Sequence, residues 1–237
     1  MDTIRVGPSE LANVSVQGSL KLVITSLTCF LETMHYIKFG ISYLLSLLLT
    51  GVKGQESKLF TRGPAFAAYP YPTFFIDCPE IGGSGSRMQT AHAYDGGGYF
   101  PELRWPITTS DTQEYVLVCE DPDAPLTEPV IHGLYYGIPP VLVGLHRSDF
   151  IEADAKNDPY RLRGGFKYGA NSGGGVYLAP RPARGHGPHR YFFELIALNH
   201  TIDQNKLSAM ATFEEIAREV QGKVSGWGEW YGVAERN

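Results

Sequence analysis

One stretch limits the fold more than any other. Tyr115-Val-Leu-Val-Cys119 is an apolar, β-branched run, and Asp121-Pro-Asp-Ala-Pro125 cuts it off two residues later. Such a run reads as a buried strand. Proline neither donates to a sheet ladder nor continues a helix, so the chain must turn at the carboxylates. The pattern recurs along the chain. Residues 130–138 predict a strand whose alternation puts His132, Leu134, Tyr136 and Ile138 on one face. Residues 191–198 predict a longer strand in which Glu194 shares a face with Phe192 and Ile196. Residues 73–76 are expected as a short strand, 101–106 as a strand or its lead-in carrying Trp105, and 227–233 as a closing strand. Thr212 and Glu215 have capping-box spacing, which opens a helix through Val220 with Gly222 as its stop. The 27 glycines and 16 prolines punctuate these runs, and residues 140–188 read mostly as loop. Strands without alternating helices predict a mainly β fold, with a few peripheral helices.

The first third reads differently. Residues 22–31 and 41–49 are apolar, but Glu32, His35 and Lys38 separate them. Neither reaches the roughly 18–20 apolar residues of a membrane span, so no transmembrane segment is expected. Asp2 and Glu10 also make a poor start for a signal peptide. Tyr36, Ile37, Phe39, Ile41, Leu44, Leu45 and Leu48 fall close to one helical stripe. Without a basic polar face, that helix is expected to pack on the protein body. The organisation expected is an extension over 1–35, an amphipathic helix and linker over 36–58, and the main domain over 59–237. Met34 would serve as an alternative start just before the helix.

The net charge of −5, without a Lys/Arg cluster, argues against a nucleic-acid surface and against charge-driven binding to an anionic membrane. Cys29, Cys78 and Cys119 form no CxxC pair. They are expected as buried small hydrophobes, and so few in a chain of 237 residues fit a reducing, cytoplasmic compartment.

Polar groups concentrate at strand ends. Two prolines fix the directions of Asp121 and Asp123, which a plain Asx turn would also explain. His189 and Tyr191 alternate onto one face after Gly185-His-Gly-Pro188, and His132 enters its strand near the start. Three strand ends can therefore gather Asp121, His132, His189 and Tyr191. Imidazole and phenol donors would receive an anion, and the carboxylate would orient one imidazole and favour its charged form. A metal site of His186, His189, His132 and Asp123 has suitable ligand types but no recognised spacing, so no metal and no cofactor are assigned. Gly-x-Ser-x-Gly, HExxH and a complete phosphate loop are all missing from the sequence.

The strings Val118-Cys-Glu-Asp-Pro-Asp-Ala-Pro125 and Gly187-Pro-His-Arg-Tyr-Phe-Phe193, with His132 between them, resemble the two signatures and the pocket histidine of the phosphatidylethanolamine-binding protein family. The resemblance covers about residues 60–234. It implies a large antiparallel sheet packed on a smaller one, with helices at the periphery. It also implies a shallow pocket for phosphate, phosphate-ester or carboxylate groups. By position the pocket would use Asp121, Asp123, His132, His189 and Tyr191, with Pro180 or Pro182 on the rim. Gly133 departs from the Trp that many members carry after the histidine. A second departure is an insertion around residues 162–176, where Arg161, Arg163 and Lys167 would either add cations at the mouth or lie in a solvated loop.

Leu59-Phe-Thr-Arg-Gly-Pro-Ala-Phe66, His132-Gly-Leu-Tyr-Tyr-Gly-Ile-Pro139 and Gly226-Trp-Gly-Glu-Trp230 further resemble a fungal branch found in gene clusters that make maleidrides, which are dimerised maleic anhydrides. That resemblance implies an accessory that binds a dicarboxylate and assists dimerisation, alongside biosynthetic partner proteins. If the chain is catalytic, His132 and His189 are the candidate acid and base. The wider family implies the alternatives of lipid-headgroup binding or regulation of a kinase or protease.

Overall fold

The strand ending at the proline turn is buried on both faces, and the fold is built outward from it. In the computed structural model, which describes residues 53–236 apart from Thr109, this strand is β2 (Glu114–Asp121). The other strands are β1 (Leu103–Arg104), β3 (Val130–Ile138), β4 (Gly144–Leu145), β5 (Glu152–Asp154), β6 (Asp158–Leu162), β7 (Lys167–Tyr168), β8 (His189–Leu198) and β9 (Val224–Ala234). Seven of them form an antiparallel sheet in the order β5-β6-β7-β3-β2-β8-β9, and β1 with β4 forms a two-stranded sheet. The expected architecture of a large sheet with a smaller one is therefore present. The expected amphipathic helix, residues 1–35, Met34 and Cys29 lie outside the described residues.

Alternation along β2 and β8 feeds two cores. Tyr115, Leu117, Cys119, Tyr191, Phe193 and Leu195 face one, which Leu103 and Leu145 of the small sheet also enter. Val116, Val118 and Ile196 face the other. It is closed by Phe60, Phe66 and Ile216, the last from α1 (Phe213–Glu219). A strand buried on both faces has no polar alternation to show, which is why β2 reads as a continuous apolar run. The capping box of α1 is complete: Glu215 N–H donates to Thr212 Oγ1, and Thr212 N–H donates to Glu215 Oε2. Cys78 and Cys119 are buried, and burial pushes the Cys78 thiol up to about 12.

Two expectations need correction. Residues 73–76 form no strand. Thr73 N–H and Phe74 N–H both donate to the Trp227 carbonyl, and Phe75 is exposed. The segment borders β9 without enough length to make a ladder. Residues 140–188 are mostly loop, as expected, with the short strands β4 to β7 set within it. These are strands of two to five residues with charged side chains, too short and too polar for periodicity to register. Asp158 pairs with Arg161 at 3.7 Å and with Lys167 at 3.2 Å, so two of the three cations of the insertion are engaged on outer strands of the sheet.

The second correction concerns β3. His132, Leu134, Tyr136 and Ile138 do not share a face. Cys119 pairs with Gly133 and Glu120 with Ile131, leaving His132 as the extra residue of a β-bulge. A second irregularity lies between Tyr115↔Ile138 and Leu117↔Tyr135, at Gly137 with φ +72°. Each bulge reverses the inward and outward alternation. Leu134 and Tyr136 consequently enter the α1-side core, while Tyr135 and Ile138 enter the other.

Candidate functional site

The C-terminal end of β2 and the N-terminal ends of β3 and β8 meet at one edge of the sheet. Asp121 and Tyr191 point to the same face through strand alternation. His132 reaches that face only because of its bulge, and its ring stands edge-on to Tyr191 at 5.0 Å between centroids. His189 and Tyr191 lie near parallel at 6.5 Å. Asp121, His132, His189 and Tyr191 are therefore brought together, each 5% exposed or less.

Each side chain has a defined partner. Asp121 Oδ1 accepts the N–H groups of Asp123 and Ala124, at 2.8 and 3.1 Å, so the Asx turn is real. Its Oδ2 lies 2.8 Å from His189 Nδ1. A carboxylate only accepts, so His189 Nδ1 carries the hydrogen. Its Nε2 lies 2.7 Å from His186 Nδ1, which extends the chain to Asp121–His189–His186. His186 is the residue that sequence reasoning did not place in the pocket. The signal was a second histidine three positions before His189 on the same glycine loop.

His132 Nδ1 donates to the Leu178 carbonyl. That bond fixes the tautomer and leaves Nε2 as a lone pair in the neutral ring, with no hydrogen bond among the described residues. Burial disfavours the charged ring and holds His132 below the ordinary histidine value; the Leu178 bond and the Asp121 charge only partly oppose this. The imidazole that the carboxylate orients is His189, while the neutral His132 ring offers an acceptor. The Tyr191 hydroxyl keeps its proton far above the usual range, chiefly through burial and then through the Asp121 charge.

One expected ligand-binding residue is engaged by another partner. Asp123 is taken up by Arg190, whose backbone N–H, Nε and Nη2 donate to it at 2.9, 2.8 and 2.9 Å. Burial alone would raise the Asp123 carboxyl, but these bonds and the guanidinium charge hold it below the usual carboxylate range. Arg190 Nη1 also donates to Glu56 at 2.7 Å. This network braces the loop and removes Asp123 from the proposed metal set. Pro180 and Pro182 line a neighbouring pocket of about 190 Å³. Residues 178–182 form a strap between this pocket and the histidine cluster. Leu178 N–H donates to the His132 carbonyl, and Pro180 C=O accepts from Tyr94 N–H.

Gly133 makes room for Tyr135. A Cβ at Gly133 would lie 2.6 Å from Tyr135 Oη and 2.8 Å from Cζ. The Tyr135 ring, anchored by its hydroxyl on the Val176 carbonyl at 2.8 Å, fills the space beside His132. Among the described residues, the one His/Glu group close enough to share a cation is Glu80, Glu102 and His146, apart from this cluster.

Residues 82–235 match the family model described as phosphatidylethanolamine-binding protein. The chain belongs to this family. It is 38% identical over 204 residues to phomoidride biosynthesis cluster protein B of Talaromyces stipitatus, covering 86% of this chain and 84% of that protein. It is 36% identical to a protein of the same name from a fungus given as Fungal sp., covering 82% of this chain and 94% of that protein. Solved structures agree on the fold. A phosphatidylethanolamine-binding protein homologue from Chlamydia trachomatis matches with TM-score 0.57 at 21% identity, over 70% of this chain and all of that one. E. coli YbcL matches with TM-score 0.58 at 24% identity, over 69% and 99%. Among the described residues no helix is long and apolar enough to cross a membrane.

Proposed function

We propose that this phosphatidylethanolamine-binding protein holds a small dicarboxylate at the histidine cluster and assists the dimerisation of maleic anhydride monomers. The observation that carries the reading is the pairing of two unlike histidines around Tyr191. His189 is tied into a proton-sharing chain with Asp121 and His186, while His132 presents a free Nε2. Asp121–His189–His186 can take up a proton and present N–H donors to an anion. Neutral His132 can remove a proton from a carbon activated by the bound carboxyl groups. The electron pair left there forms the bond to a second monomer, whose C=C π bond breaks and whose resulting carbanion takes a proton from the Asp121–His189–His186 chain. The relatives named for phomoidride biosynthesis supply the pathway context, and a dicarboxylate suits the donors. Fold membership alone would not fix this reading.

The test is calorimetric titration with a maleic-type dicarboxylate and with phosphorylethanolamine, in the parent and in His189→Ala. Selective dicarboxylate binding lost in the variant is the expected result. A coupling assay with monomer should then show His132→Gln binding normally and turning over slowly. Selective phosphorylethanolamine binding would replace this reading with a lipid-headgroup one.

A further inference from the structure

Beside the histidine cluster, across the 178–182 strap, lies the pocket of about 190 Å³ that received Pro180. Its wall carries Arg87, Arg181 and Arg236, with Asp95 and Glu235 as the acidic residues. Three guanidinium groups against two carboxylates leave one surplus positive charge, in a chain whose net charge is −5. The pairing inside the pocket is incomplete. Asp95 lies 2.9 Å from Arg236 Nη2 and 3.8 Å from Arg181 Nε. Arg87 makes no ion pair among the described residues. Arg236 Nε is buried and has no acceptor among them. A buried donor on a charged group is costly to leave unmatched. The Arg181 guanidinium is held in place over the Tyr94 ring at 4.3 Å, so this wall is ordered before any ligand arrives.

We infer that this pocket is a second anion subsite, formed by Arg87, Arg181 and Arg236, which takes one carboxylate of a small organic acid. The planar fork of an arginine matches a carboxylate with two parallel bonds, and the vacant Nε–H of Arg236 supplies one of them. Arg87 supplies the charge that Asp95 does not cancel. The inference stands on this pocket alone and does not require the histidine cluster to bind anything.

The test is a titration of the full chain with methylmaleate, followed by ¹H–¹⁵N spectra of the arginine Nε–H groups. The Arg236 Nε–H signal is expected to move saturably. Arg87→Gln, an exposed position, should weaken that response about tenfold, and the Arg87→Gln, Arg236→Gln pair should abolish the accompanying shift of the Arg181 Nε–H signal. His189→Ala should leave it intact. An unmoved Arg236 signal at saturating methylmaleate, or a response equal in parent and Arg87→Gln, overturns the subsite. If His189→Ala alone loses dicarboxylate binding, the histidine site survives and this subsite does not. A parallel titration with phosphorylethanolamine that moved Arg236 more strongly would overturn the assignment to a carboxylate.

Discussion

Asp121 and His189, 68 positions apart in sequence, meet at 2.8 Å because β2 and β8 are adjacent antiparallel strands that place both on one face. Asp121 also caps its own turn through the second oxygen. Asp121→Asn keeps the turn acceptor but removes the charge from a buried pair. The expected cost is about 3 kcal/mol of stability. Dicarboxylate affinity should fall about tenfold or more, the scale of losing a hydrogen bond to a charged group. Urea unfolding and calorimetry measure the two effects, and unchanged values in both would remove Asp121 from the site.

On the other face of the same strands, Glu120 and Glu194 are buried as diagonal neighbours, since Glu194 pairs with Val118 and Glu120 with Phe192. Phe60 N–H donates to Glu120 Oε2 at 2.8 Å, and the Thr61 hydroxyl donates to Glu194. Glu120 Oε1 and Glu194 Oε2 have no other partner, which one shared proton between them would satisfy. Burial, followed by the like charge of Glu194, keeps Glu120 protonated well above the usual carboxylate range. Unfolded, it would ionise near pH 4.3. Stability from this pair is thus fully present below about pH 4 and is lost as pH rises toward the folded-state value. Glu194→Gln replaces the shared proton with a permanent N–H. Its melting temperature should match the parent near pH 4 and exceed it by a few degrees at pH 8. Parallel melting curves across that range would count against the shared proton.

Asp123 and Arg190 give the opposite pH dependence. The Asp123 carboxyl is held below its usual value, so its contribution is present above about pH 4 and is lost as pH falls through the folded-state value. Asp123→Asn should cost about 2 kcal/mol at pH 7, because Arg190 loses its charged acceptor. The difference from the parent should shrink as pH falls through the folded-state value. Denaturant unfolding at pH 3, 5 and 7 would check this, and a constant difference would refute it.

Gly133 tests the packing beside His132. Gly133→Ala drives a Cβ into the fixed Tyr135 ring and should cost about 1–3 kcal/mol. Gly133→Trp should fold only when Tyr135→Ala vacates the space. Thermal melts of the three variants decide it; a fully stable Gly133→Trp alone would show that Tyr135 yields readily.

Local chemistry determined much of this protein. The apolar runs behind β2, β3 and β8, the proline turn after Asp121 and the Thr212/Glu215 capping box were all legible in the sequence, because each depends on residues within one turn or one strand. Site membership was legible for Asp121, His132, His189 and Tyr191, since chemistry-bearing residues stood at strand ends and two motifs carried a family resemblance. The remainder depended on pairing between distant segments. The bulge that turns His132 toward Tyr191 exists only in the register of β3 against β2, and no periodicity within β3 records it. His186 joins the site because a glycine loop folds it onto His189. Asp123 leaves it because Arg190 reaches the carboxylate first. Glu120 and Glu194 meet only because neighbouring strands place two carboxyls in one dry core, and burial is a property that tertiary structure confers.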